Sequence, residues 1–167
     1  IRSEGGAPIV FEPQMSAKPR RRREPMTLSS VYEGRIYSTG HIPTRPENWH
    51  DFFNALVWAA FPKSKRALNA RHYRAVVSRL KGGSLSGART REQDALSIVD
   101  EGGLLVLCEA SAVKDVDAAL FQANAEALRA IVQGGQAFAF VLGHALYEHF
   151  VMSREMVRAY GVVVSYE

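Results

Sequence analysis

The chain has 167 residues, 47% hydrophobic and 23% charged, with a formal net charge of +4 and a pI near 9.4; this is enough for one domain with a real core, and basic enough to raise anionic partners without selecting them. No apolar run approaches the roughly 20 residues of a membrane span, so no membrane partner is expected. A single cysteine, Cys108, excludes an internal disulfide and makes a reducing cytoplasm the default compartment.

Residues 1–30 read as an N-terminal strand and a basic arm. Pro8 to Glu12 forms the strand, closed by Pro13, and residues 14–30 form a loop rich in Pro, Ser and Arg that holds Arg20, Arg21, Arg22 and Arg23. Residues 31–167 read as a single globular domain. From Val31 to His41, Tyr32, Ile36 and Tyr37 can pack at helical spacing, and Gly40 ends the segment. Thr44-x-x-Glu47 matches a capping box, with Pro46 tolerated in the first turn, and predicts a helix that runs to Pro62. On that helix Trp49, Phe52, Phe53, Leu56 and Ala60 make the expected buried face. Glu47, His50, Asp51 and Asn54 lie opposite, followed by Trp58 and Phe61, so the polar face is expected to be covered as well.

A second helix is expected from Ser64 to Leu80, with Leu68, Asn69, His72, Tyr73, Val76 and Leu80 as its inner stripe and its basic residues, Lys63 to Lys81, outside. Gly82 to Gly87 is a connector. A helix follows from Thr90 to Val99, then a turn at Asp100 to Gly103, and then Leu104 to Cys108 as a strand buried on both faces. Helical periodicity returns from Ala112 to Val132 with a break near Ala123. Phe138 to Leu142 fits a strand or a helix start, and helix is favoured, continuing through Gly143 to about Met152, with Ser153 as cap of a further turn, and Val162 to Tyr166 as a terminal strand. The fold class expected is α+β, a helix-dominated single domain with a small two- or three-stranded sheet.

Several of these segments resemble a bacterial family of uncharacterised proteins, domain of unknown function 3025. They are Pro43 to Trp58, Phe61 to Lys65 with Leu68 and Asn69, Arg91 to Leu96 with Asp100 and Glu101, and Gly143 to Glu148. The resemblance implies a bacterial source and no agreed activity, so chemistry must come from the residues.

Two constellations carry it. His50 and Asn54 are helical neighbours, with Asp51 and Glu47 beside them, so His50 could act as general base oriented by Asp51 or Asn54. His144 and Glu148 lie one turn apart on a later helix. If the two helices pack face to face, His50, His144 and Glu148 could ligate one divalent metal, or the pocket could take a small polar ligand. A buried hydrogen-bond network that only locks helices explains the same residues. Three functions follow: a metal-assisted hydrolase or small-ligand binder, a basic nucleic-acid-binding module using Arg20–Arg23 and the Lys63–Lys81 face, or a structural protein. Cys108, in its strand, reads as core filling. Nothing in the sequence sets the oligomeric state.

Overall fold

A computed structural model of the protein describes residues 1–14, 27–81, 84–85, 88–152 and 157–167. The fold is helix-dominated α+β, with three small sheets among the described residues. The chain divides into two compact units, residues 1–100 and 101–167.

In the first unit, strand β1 (Val10–Pro13) pairs in parallel with β2 (His41–Thr44), in register from Val10 opposite His41 to Pro13 opposite Thr44. Helix α1 (Tyr32–Thr39) enters β2 through Gly40, whose φ of 74° is left-handed. A Cβ there would lie 1.9 Å from the Pro8 carbonyl oxygen, so only glycine lets the two segments approach. The turn places Ile36, Ile42 and Trp58 in one core cluster, with Ile9 against it.

Helix α2 (Trp49–Ala60) begins four residues later than the Thr44 capping box predicts. Thr44 is taken up by β2, and Arg45, preceding Pro46, is biased away from helix. Asn48 is the cap instead, its side chain accepting from the Asp51 amide at 3.0 Å. The burial of α2 is also turned around. Trp49, Phe52 and Leu56 are about half exposed, at 48%, 48% and 47%, whereas Asn54, Val57 and Trp58 are buried and Phe53 lies at the boundary.

Helix α3 (Pro62–Val77) follows after Phe61, with Pro62 at its first position, where the missing N–H costs nothing. Its expected stripe holds at Asn69, His72 and Val76, all buried, and Tyr73 stacks on Tyr37 of α1 at 3.8 Å between centroids. Strands β3 (Leu80–Lys81) and β4 (Ser84–Leu85) form a short antiparallel pair. Thr90 and Gln93 then cap helix α4 (Arg91–Gly102), each side chain accepting from the other's backbone amide. The boundary between the units falls in the last turn of α4.

The second unit is built on a three-stranded sheet of order β6-β5-β7. Strand β5 (Gly103–Glu109) lies between β6 (Ala137–Val141), antiparallel to it, and β7 (Tyr160–Tyr166), parallel to it. The Phe138 segment is therefore strand where helix was expected. Its short apolar run fits either state, and pairing with β5 decides it. Helices α5 (Val113–Phe121) and α6 (Ala125–Gln133) separate at Ala123, where φ reaches 51°. Val106, Cys108, Ala112, Val116 and Ala137 make this unit's core. The other face of the sheet is more open than a strand buried on both faces implies: Leu105 and Leu107 are half-buried, and Phe138 and Phe140 are exposed. Helix α7 (His144–Met152) follows Gly143, whose Cβ would meet the Glu101 carbonyl oxygen and Gly103 amide at 2.5 Å.

Candidate functional site

The first unit contains a polar cluster inside its core. Lys65, Asn69 and His72 stand at i, i+4 and i+7 on α3, one above another, and all three are buried. The Lys65 ammonium donates to the Asp100 carboxylate of α4 and sits 5.7 Å from the centre of the Trp58 ring. Asn69 donates to the Glu33 carbonyl of α1 at 3.1 Å. Asn54 of α2 donates to the Tyr32 hydroxyl at 3.2 Å. Burial of that hydroxyl, followed by the nearby Asp100 charge, pushes the Tyr32 phenol above its ordinary range even though the residue as a whole is partly exposed. Burial pushes the His72 imidazole down, against the opposing pull of the Glu33 and Asp100 carboxylates. Its Nδ1 lies 3.9 Å from Glu33.

Among the described residues, three buried polar atoms in and beside this cluster, Asn54 Oδ1, Asn69 Oδ1 and His72 Nδ1, have no hydrogen-bond partner. Tyr32, Lys65, Asn69, His72 and Asp100 border a cavity of about 20 Å³. That space accommodates one water molecule, which needs roughly 10–15 Å³, and no substrate. The cluster therefore ties α1 to α2 and α3, and α3 to α4, without offering a pocket.

An opening large enough to admit a ligand lies at the start of α2. Thr44, Arg45, Glu47, Asn48, Trp49, Phe52 and Ala55 line a groove of about 590 Å³. This is within the roughly 300–1,000 Å³ of small-molecule sites. One wall is aromatic: Trp49 and Phe52 meet edge to face at 5.8 Å, and Trp49 packs on Phe53 at the same distance. The other wall is fixed by Asp51. Its carboxylate accepts from the Arg45 backbone amide at 2.7 Å, from Arg45 Nε at 2.9 Å and from Arg45 Nη2 at 2.8 Å. The Arg45 hydrogen bonds hold the Asp51 carboxyl down at about 2. Glu47, which also lines the groove, is exposed and has a φ of 53°, a left-handed conformation for a residue with a side chain.

These contacts distribute the sequence-predicted residues. His50 Nδ1 reaches Asp51 at 3.3 Å, as an orienting pair requires. Asn54 does not join them: it is buried and turned to Tyr32. His50 belongs to the first unit, and His144, buried on α7, and Glu148, half-buried, belong to the second. Among the described residues no group of three or more His, Cys, Asp or Glu side chains is arranged to hold a metal ion. Arg20, Arg21, Arg22 and Arg23 lie outside the described residues. Of the basic residues on α3, Lys63, Arg66, Arg71 and Arg74 are exposed, but Lys65 is buried, a correction to the outer face expected of that run. Arg89 pairs with Asp94 at 3.3 Å, an ordinary structural ion pair.

Sequence reasoning missed Tyr32, Lys65 and Asp100 in the cluster. Lys65 carried a usable signal, its position on the Asn69–His72 stripe. The groove lining was partly in view, since Glu47, Trp49 and Phe52 stood out in the α2 motif, but with the wrong side of the helix facing out.

Among the described residues no helix is long and apolar enough to cross a membrane. No curated protein and no solved structure matches this chain. A family model described as a protein of unknown function, DUF3025, matches residues 22–167, and the chain belongs to that family.

Proposed function

We propose that this protein is a small-molecule-binding protein whose ligand lies in the groove at the start of α2. The supporting observation is the exposed Trp49–Phe52 surface, set in a ligand-sized groove with polar groups along one wall. Large aromatic side chains left half in solvent lose burial energy, at about 25 cal/mol for each Å² of apolar surface. A ligand lying across them recovers it. The Asp51–Arg45 pair holds the loop from Thr44 to Asn48 against the helix, so the polar wall is set before a ligand arrives. In this reading Asp51 is a positioning residue, and the buried Lys65 cluster is the scaffold that holds α1, α2 and α3 in place.

A thermal-shift screen of small fragments tests the reading. Fragments that raise the melting temperature of the wild-type protein lose that effect in Trp49→Ala and Phe52→Ala. Fragments that stabilise the variants as strongly as the wild type bind elsewhere, and refute it.

A further inference from the structure

We infer that the groove selects a small organic ammonium compound, an inference that rests on the groove being the ligand site. The charges around it decide the class. Arg45 is the obvious anion receptor, but two of its nitrogens are bound to Asp51 and one of these also reaches Asn48 at 3.3 Å. The start of a helix favours anions, yet its first turn already carries Asp51, and Asn48 caps the Asp51 amide. Arg45 and Asp51 neutralise each other, which leaves the Glu47 carboxylate as the uncompensated charge among the described residues of the groove lining.

Glu47 lines the same groove as two half-exposed aromatic residues, Trp49 and Phe52. Aromatic faces attract cations, Trp most strongly, and a neighbouring carboxylate adds to the attraction. An anion would meet Glu47 and gain nothing from the rings. A neutral ligand would use the apolar wall alone. The backbone supports the same assignment: a residue with a side chain held at a φ of 53° is strained, and a glycine would relieve it. Glu47 occupies the position where glycine fits best and carries the one charge that a cation needs. The groove volume suits a free ammonium compound.

The test compares three probes of nearly equal shape: choline, its uncharged carbon isostere 3,3-dimethyl-1-butanol, and the anion 3,3-dimethylbutanoate. Each is titrated into the wild-type protein while tryptophan fluorescence is followed. Choline is expected to bind about five- to tenfold more tightly than the isostere, with the anion weakest. Glu47→Gln, an exposed substitution, reduces that preference to the part owed to the rings and leaves the isostere unchanged. Equal binding of choline and its isostere, or tighter binding of the anion, overturns the ligand class while the groove remains the site. Binding of choline that is unaltered in both Glu47→Gln and Trp49→Ala overturns the inference and places choline elsewhere. If none of the three binds at millimolar concentration, the ammonium class is also overturned, and the fragment screen decides separately whether the groove is a site.

Discussion

Replacing Lys65 with methionine removes one charge from the interior of the first unit and keeps nearly the same volume. The Lys65 side chain is 4% exposed and that of its partner Asp100 is 24% exposed. Breaking a fully buried pair by removing one partner costs about 3–5 kcal/mol, because the remaining charge stays buried without compensation. Asp100 retains some water, which lowers that figure, while loss of the ammonium near the Trp58 ring adds roughly 0.5–1 kcal/mol. The expected cost of Lys65→Met is therefore about 2–4 kcal/mol. Asp100→Asn alone leaves the ammonium uncompensated and is also costly. The double variant leaves neither charge behind, so it should be more stable than the sum of the single effects predicts, by about 1.5 kcal/mol or more. Both tryptophans lie in the first unit, so their fluorescence during urea unfolding reports on this unit directly. A cost below about 0.5 kcal/mol for Lys65→Met, within the range of surface substitutions, or simple additivity in the double variant, refutes a buried and coupled pair.

Three further outcomes follow from the same contacts. Gly40→Ala should destabilise the first unit by about 2 kcal/mol or more, since alanine at a φ of 74° is strained and its Cβ would strike the Pro8 carbonyl; an unchanged unfolding midpoint would contradict the close approach. Burial lowers the His72 pKa in the folded protein, so the unfolded chain takes up that proton first as the pH falls. The resulting stability is fully present above the unfolded value of roughly 6.5 and is lost as the pH drops from there toward the folded value; His72→Phe should flatten that part of the stability profile, and an equal slope in the variant would refute the assignment. Glu47→Gly should leave stability unchanged or raise it by up to about 1 kcal/mol, because relief of strain outweighs the added chain entropy, while choline binding weakens toward that of its uncharged isostere; a clear loss of stability would show that the Glu47 side chain supports the fold.

The parts of the fold legible in the sequence are those governed by local physics. The Asn69–His72–Val76 stripe, the helix start near Thr90, the break near Ala123 and the terminal strand after Gly161 each follow from spacing or turn chemistry within a few residues. The orientation of α2 does not, because that helix is apolar nearly all round. Trp49 and Trp58, Phe52 and Val57 offer competing faces, and the choice falls to contacts made by Ile36 and Ile42 from elsewhere in the chain. The buried Lys65 was hidden for a similar reason: its partner Asp100 is 35 residues away. The role of Phe138 depended on β5, a pairing that a short apolar run cannot announce. The His50–Asp51 contact was visible as neighbours on a helix, but the stronger tie from Asp51 to Arg45 depends on the loop fold.

The groove claim is tested most directly by the indole N–H resonances of Trp49 and Trp58 during titration with the tightest fragment from the screen. Trp49 lines the groove and Trp58 lies in the core. The expected result is a saturable shift of the Trp49 signal with the Trp58 signal unmoved. A shift confined to Trp58, or a stable complex in which the Trp49 signal does not move, would contradict a ligand site on the outer face of α2.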